Sequence, residues 1–363
     1  MPIKKISVYS FRCFKGLDLE FSYFNNFLHG ANGSGKTSIL EALYFCSTGR
    51  SFKTPNKNLC ILRKENAFQI KLETKNNNKI RVLKELNKAI SCELDGQKAT
   101  SIDLFRALPS TLLDNKTFSM FADTPKYRRQ MLDRCLMAAD KNYTKEFFSF
   151  HRSLKQRNAS LKLKRDQSLN MWSEIFTTSG SLLSKKRNEF FEYSKDSFFG
   201  FAKNFKDKRV IDLLNSLDIV FYKGWQEGTP LKESLDKSAE TDYKRQTTTL
   251  GPHKADIKFL INQADIKYIL SRGEQKFMSI LWCLSMHKAL SDFYEIEPFL
   301  IIDDIHSELD EDFYTELIHF LPKTSNQLFF SDINNPFDSK IDYQYLELKK
   351  FHVEQFNNAK KTK

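Results

Sequence analysis

The eight residues Gly30-Ala31-Asn32-Gly33-Ser34-Gly35-Lys36-Thr37 constrain this chain more than any other stretch. They spell G-x-x-x-x-G-K-T. The apolar pair Phe27-Leu28 precedes them, and Ser38-Ile39-Leu40-Glu41-Ala42-Leu43 follows with the start of a helical pattern. Glycines let the backbone curl until successive N–H groups face one point, and a helix N-terminus adds its dipole there, so strand, loop and helix make a phosphate cradle. The expectation is a nucleotide site formed by Gly30, Ala31, Asn32, Gly33, Ser34, Gly35, Lys36, Thr37 and Ser38. Lys36 is placed to reach the β- and γ-phosphates. The Thr37 hydroxyl is the expected Mg²⁺ ligand, because a hard cation held partly by phosphate oxygens takes a further oxygen from the loop.

A chain of 363 residues has room for a large core and for two domains, or one domain with a sizeable insertion. No apolar run reaches the roughly 18 residues of a membrane span, and the start Met-Pro-Ile-Lys-Lys-Ile lacks the apolar core of a signal peptide. The reading is a cytosolic protein without a membrane partner. The six cysteines fall without C-x-x-C spacing, which points to reduced thiols and not to zinc or a disulfide framework. The formal net charge of +12 suggests a polyanionic partner, and its placement sharpens the point. Residues 126–210 hold 20 Lys or Arg against 9 Asp or Glu, while the flanks are nearly neutral. Lys162, Lys164, Arg165, Lys185, Lys186 and Arg187 are the cations expected to face DNA.

The first hundred residues alternate like half-buried strands, at Ile6-Ser7-Val8-Tyr9, Leu17 to Phe21, Phe68 to Glu73, Ile80 to Leu83 and Ser91 to Leu94. Asn76-Asn77-Asn78 and Asp95-Gly96 supply the turns. This pattern predicts an antiparallel lobe beside the phosphate-loop helix. Gly49-Arg50-Ser51-Phe52-Lys53 follows that helix and is expected to add cations near the phosphates. From Pro125 the period becomes helical, with Phe147, His151, Leu154, Asn158 and Leu161 on one stripe and Phe190, Ser194, Phe198, Phe201 and Phe205 on another. These predict an arm of amphipathic helices whose aromatic stripes are packing seams.

After Gly251-Pro252-His253 the chain returns to strands at Asp256 to Ile261 and Ile266 to Leu270, a hairpin leading to Ser271-Arg272-Gly273-Glu274-Gln275 and a long helix to about Leu290. Ser271 and Glu274 have the spacing of a capping box. The same serine, with Gly273 and the helix N-terminus, could equally form a second phosphate-binding surface. Pro298-Phe299-Leu300-Ile301-Ile302-Asp303-Asp304 predicts a buried parallel strand ending in two carboxylates. Adjacent strand residues face opposite ways, so the pair can divide two tasks: Asp303 holding Mg²⁺ through water, Asp304 orienting or deprotonating the attacking water. Gln327 to Ser331 and Tyr343 to Leu348 predict later strands before a frayed tail.

These pieces resemble the heads of ABC-type ATPases, and within them the RecF family. The resemblance rests on Phe11-Arg12-x-Phe14, Gly30 to Thr37, Gly49-Arg50-Ser51-Phe52, Pro125-x-Tyr127-Arg128-Arg129-x-x-Leu132-Asp133, Leu154-Lys155-Gln156-Arg157-Asn158, Gly251-Pro252-His253, Leu270 to Lys276 and Asp303-Asp304-x-x-Ser307-Glu308-Leu309-Asp310. It implies an α/β ABC-type head, a mixed sheet with the phosphate loop plus an antiparallel β lobe, interrupted by a mostly helical arm. The division it suggests is head at 1–115, basic arm at 116–245, head again at 246–350 and tail at 351–363. It further implies ATP and Mg²⁺ as cofactors and an ATP-dependent homodimer on duplex DNA or single-strand/double-strand junctions. RecR and RecO would be partners in placing RecA at gaps, in repair, replication and support of the SOS response. Catalysis would use Lys36, Asp304 and, in trans, Ser271, with slow hydrolysis acting as a switch. Thr111 stands where the family's loop glutamine is expected, and no histidine follows the strand ending at Ser331. An ATP-switched structural clamp of the SMC-head type is the alternative; it calls for a long heptad arm, which is missing. A nuclease would need a further acidic cluster, and Arg272 with the basic insertion disfavours a transporter ATPase.

Overall fold

Alternation marks the first strand: Ile6 and Val8 of β1 (Ile3–Phe11) are buried while Ser7 and Tyr9 are not, and β2 (Phe14–Glu20) pairs with it antiparallel. The computed structural model describes residues 2–118, 120–121, 124–163, 166–305, 309–321, 327–332 and 348–353. The chain divides into two compact units, Met1–Phe118 with Lys276–Lys363, and Ser119–Gln275, so the cut falls inside one long helix.

In the first unit β3 (Asn25–His29) enters the phosphate loop and α1 (Lys36–Thr48) leaves it. Strands β4 (Ala67–Thr74), β5 (Lys79–Glu85), β6 (Ser91–Leu94) and β7 (Gln97–Lys98) follow, then α2 (Ser101–Ala107), β8 (Ser110–Leu113) and α3 (Asn115–Phe118). The second unit holds α4 (Pro125–Ala139), α5 (Lys141–Leu163), α6 (Asp166–Phe201), α7 (Lys208–Ser216), β9 (Leu217–Tyr222), α8 (Leu231–Lys237), α9 (Ala239–Arg245), β10 (Asp256–Ile261) and β11 (Ala264–Asp265). Helix α10 (Arg272–Tyr294) carries the chain back to the first unit, where β12 (Phe299–Asp303), α11 (Glu311–Phe320), β13 (Leu328–Asp332) and β14 (Leu348–His352) complete the described elements.

The first unit thus has an antiparallel sheet ordered β2-β1-β4-β5-β6-β7 and a sheet ordered β14-β3-β13-β12-β8 whose described pairings are all parallel. Helix α1 is buried on nearly all sides from Ile39 to Thr48, and Leu40, Leu43 and Phe45 share one core with Ile6, Val8, Phe68, Ile301 and Phe329. Phe11 stacks edge-on against Phe45 and Phe68 at centroid distances of 5.7 and 5.0 Å. Each fully buried side chain of this kind contributes about 2 kcal/mol, which fixes the helix after the loop against the sheet before it.

In the second unit the stripe Phe190, Ser194, Phe198, Phe201 and Phe205 is a packing seam, whereas the stripe expected on α5 is, Leu161 apart, not its buried face. His151 is exposed, Phe147, Leu154 and Asn158 are half-buried, and the helix buries Tyr143, Phe150, Ser153, Arg157 and Ser160 instead. Phe150, Leu161, Phe190, Phe198 and Phe201 are buried, and α5 and α6 pack along their length. Helix α4 begins at the proline, which suits a first helical position. Strand β9 pairs antiparallel with β10, so the hairpin region belongs with the arm by contact. No strand forms over Ile266 to Leu270, where one was expected: the return strand β11 is Ala264–Asp265, within the expected turn, and the Asp265 side chain accepts from the Lys267 amide and leads the chain into a 3₁₀ turn at Ile266–Tyr268. Residues 343–347, within the last strand expected, lie outside the described residues, and β14 itself runs Leu348–His352.

Candidate nucleotide site

Phe27 and Leu28 are fully buried where β3 lies between β13 and β14, so the phosphate loop starts from a rigid strand end. Gly30, Gly33 and Gly35 all have positive φ, at 143°, 79° and 112°. Gly35 is required twice over: a Cβ there would lie 2.5 Å from Phe14 Cζ and 2.9 Å from Cys13 Sγ. It caps α1, which begins at Lys36 and not at Ser38, so Lys36 and Thr37 occupy the first helical turn. Lys36 Nζ donates to the carbonyls of Gly30 at 2.6 Å and Ala31 at 3.1 Å, holding the ammonium over the loop.

Asn32, Gly33, Gly35, Lys36, Thr37 and Ser38 line a cavity of about 520 Å³ together with Asp303, Asp304 and Ser331. The two expected Mg²⁺ ligands meet there: Thr37 Oγ1 donates to Asp303 Oδ1 at 2.8 Å, although 266 residues separate them. Ser331 Oγ donates to the same oxygen at 3.0 Å, and Lys53 Nζ stands 3.5 Å from Oδ2. Asp303 ends β12; Asp304 follows with φ 54°, a left-handed conformation that turns the chain off the sheet and costs a non-glycine residue about 1 kcal/mol. Among the described residues no group of three or more His, Cys, Asp or Glu could hold a metal. A hydroxyl and a carboxylate side by side at the mouth of a phosphate loop do fit Mg²⁺, provided that phosphate oxygens fill the remaining positions.

Three neighbours of this site were given no role by the sequence, although Arg12 stands in the motif Phe11-Arg12-x-Phe14. Arg12, with φ 53°, lines the cavity and forks onto Glu41 of α1 through Nε and Nη2, both at 2.7 Å; Glu41 is almost fully buried. The hydrogen bonds to Glu41 raise the Arg12 pKa above its usual value. Cys13, unlike the buried Cys46, Cys60, Cys92 and Cys283, is exposed and lines the cavity. Asp114 follows β8. The register Leu113 to Ile302 places it level with Asp303, and burial, aided by the charge of Asp303, raises its pKa against the opposing hydrogen bonds from Thr117. Thr111, the position expected to correspond to the family's loop glutamine, lies instead within β8, where its hydroxyl meets His287 Nδ1 at 2.9 Å. Of the two cations after α1, Lys53 reaches Asp303, whereas Arg50 does not line the cavity.

In the second unit Ser271 is exposed and caps α10. Its amide donates to Glu274 Oε2 at 2.8 Å and its hydroxyl accepts from the Glu274 amide at 3.3 Å, a reciprocal capping box. Gly273 lies in the first turn. Ser307 and Glu308 lie outside the described residues. Several charged residues of the arm are buried partners of one another and do not form an exposed cationic surface. Arg187, 2% exposed, forks onto Asp133 at 2.7 and 2.9 Å and donates to the Pro252 carbonyl at 2.7 Å. Arg157 meets the fully buried Asp242 at 2.8 Å, while Asn158 Oδ1 accepts from the amide and hydroxyl of Thr248. Arg187 therefore leaves the set of expected DNA-facing cations. Lys162 and Lys185 are exposed, Lys186 is half-buried, and Lys164 and Arg165 lie outside the described residues.

Residues 2–349 match the family model of the RecF/RecN/SMC N terminal domain. The DNA replication and repair protein RecF of Pseudoalteromonas translucida (strain TAC 125) is 30% identical over 98% of this chain and 99% of its own length. That of Vibrio vulnificus (strain CMCP6) is 30% identical over 98% of both chains. The solved structure of the recombination mediator protein RecF-ATP in the RecFOR pathway is 26% identical, covers 97% of this chain and 96% of that one, and superposes with a TM-score of 0.80. A Smc head domain from Pyrococcus furiosus shares the fold, at 16% identity and a TM-score of 0.55.

Proposed function

From the RecF/RecN/SMC N-terminal domain family, to which this chain belongs, we propose that it is an ATP-switched DNA-binding protein of recombinational repair and replication. The observation that carries the reading is the 2.8 Å contact between Thr37 of the phosphate loop and Asp303 of the strand end. It joins two motifs far apart in sequence into one site for nucleotide and cation. The same fold, at 26% identity, is described in an ATP complex of RecF.

Loop amides and the N-terminus of α1 take the phosphates, Lys36 neutralises the β- and γ-oxygens, and Thr37, with Asp303 through water, would hold Mg²⁺. The chemistry that Mg²⁺ would supply there is charge neutralisation of the phosphates. Asp304, displaced from the strand line by its backbone, orients or deprotonates the attacking water. Asp114 and Lys53 set the charge around Asp303. Hydrolysis is slow and resets an ATP-dependent homodimer on duplex DNA or at junctions, with RecR- and RecO-type partners helping to place RecA at gaps and so supporting the SOS response. The arm meets DNA through exposed lysines including Lys155, Lys162 and Lys185. Lys36→Ala is expected to lose ATP binding. Asp304→Asn should keep binding within about twofold and slow single-turnover hydrolysis about a hundredfold or more. Unchanged hydrolysis in Asp304→Asn removes that residue from the reaction, and ATP binding retained by Lys36→Ala removes the loop.

A further inference from the structure

The first unit has a second cavity, of about 570 Å³, lined by Asn56, Lys57, Asn58, Lys84, Asn87 and Lys88. The 3₁₀ turn Lys57–Cys60 supplies one wall, and the end of β5 with the turn after it supplies the other. Lys84 is the unusual member. It is only 5% exposed, and its ammonium donates to the carbonyls of Glu85 at 2.7 Å and Lys88 at 2.6 Å. Those acceptors are neutral, and among the described residues no carboxylate lies within ion-pair distance of it. Burying an ammonium is costly, and an anion beside it offsets that cost better than neutral carbonyls do.

The surroundings add to this excess. Lys57 is half-buried, and its pKa is lowered by burial first and then by the charges of Arg50 and Lys84. Lys88 meets Glu85 at 3.1 Å on the rim, where both side chains are well exposed. Of the three ammonium groups only that of Lys88 meets a carboxylate among the described residues. The asparagines add neutral amide groups, with Asn58 Nδ2 donating to Asn87 Oδ1 at 3.1 Å. Asn87 and Lys88 are exposed, so the mouth opens at the surface, where a polymer can reach it. Convergent ammonium donors suit the several acceptor oxygens of a phosphate.

We propose that this cavity on the β lobe holds a backbone phosphate of duplex DNA, a contact additional to the arm. The inference rests on the DNA-binding reading above. Lysine and asparagine around one pocket, with no aromatic platform, make a positioning contact indifferent to base sequence.

The test is anisotropy of a fluorescent duplex over a salt series, with ATP present, comparing wild type with the double variant Lys57→Gln/Lys88→Gln. The slope of log K against log salt is expected to become shallower by about 1 to 2, with affinity down about tenfold at moderate salt. ATP binding should stay unchanged. Lys84→Met is expected to show the same loss; the rim pair keeps the test valid if that core variant does not fold. Unchanged slope and affinity in a folded rim variant, while Lys155→Gln/Lys162→Gln/Lys185→Gln loses both, overturns the cavity contact and leaves the arm reading standing. No duplex affinity in the wild type at any salt overturns both. Poly-glutamate binding that depends on the rim lysines, with DNA binding unaffected, would reassign the cavity to an acidic protein segment. Inorganic phosphate that raises the melting temperature of wild type but not of Lys84→Met, again with an unchanged DNA slope, would reassign it to a small ligand.

Discussion

Gly33 and Gly35 share one loop and positive φ, yet they answer differently to a methyl group. At Gly33 nothing lies within 4 Å of the added Cβ, so Gly33→Ala meets only backbone strain, about 1 kcal/mol. At Gly35 the same strain is joined by overlap with Phe14 and Cys13. Gly35→Ala is therefore expected to cost about 2 to 4 kcal/mol in urea unfolding and to abolish ATP binding, because relief requires the start of α1 to move. Equal stability losses in the two variants would refute this steric account. Protons act at single residues too. Burial lowers the pKa of His253 and of His287 to about 4, from 6.5. Each is neutral when folded, so the unfolded chain binds more protons below pH 6.5. The stability each contributes is complete above about pH 6.5 and is lost as pH falls towards 4, by up to roughly 3 kcal/mol. His287→Leu paired with Thr111→Val removes both polar partners of one contact and should flatten this part of the stability–pH curve. An unchanged slope would exclude His287 as a source.

At the scale of elements, the arm is held by charged clasps inside its helix seams. Asp133 of α4, Arg187 of α6 and the Pro252 carbonyl form one clasp, with Tyr143 of α5 donating to Asp133 at 2.5 Å. Removing one member strands a buried charge, so Arg187→Met is expected to cost about 3 to 5 kcal/mol, and Arg187→Met/Asp133→Leu markedly less. Equilibrium denaturation of both variants checks this; additive losses would mean that the two residues are not coupled. The clasps also mark how far a sequence can be read. Period and turn chemistry sufficed for β1 to β6, for α4 to α6 and for the strand ending at Asp303, because each depends on neighbours in the chain. Arg187 looked like cationic surface, since a charged residue shows no sign of burial until its partner, here Asp133, arrives from tens of residues away. Asp114 was missed for a related reason: only the parallel register of β8 with β12 brings it beside Asp303. Lys84 was equally silent, as one lysine among many.

For the molecule as a whole, the proposed ATP site can be completed within one protomer or by a second. Ser271 caps its own helix through the reciprocal bonds with Glu274, yet it is exposed, and Tyr268 and Ile269 just before it are 80% and 48% exposed. A cap needs no exposed aromatic in front of it, whereas a surface that meets a second protomer gains from one. The proposed homodimer assigns Ser271 and Gly273 to the site of a second protomer, on the resemblance to ABC-type heads, in which the signature helix completes the site of the partner. Two expectations then separate. If Ser271 only caps, Ser271→Arg costs about 1 kcal/mol and leaves ATP-dependent association intact. If Ser271 acts in trans, the variant binds ATP as a monomer almost normally but no longer pairs, because a long cation replaces a hydroxyl at the shared phosphate. Sedimentation with ATP, ADP and no nucleotide distinguishes the two. Mixing Ser271→Arg with Lys36→Ala sharpens the result: the loop of the first and the signature of the second are both intact and meet at one of the two interfaces of the heterodimer. Partial recovery of ATP-dependent pairing or turnover, greatest near equal proportions, is the outcome expected of a shared site. Two folded variants that recover nothing at any ratio would overturn sharing in which each site acts independently.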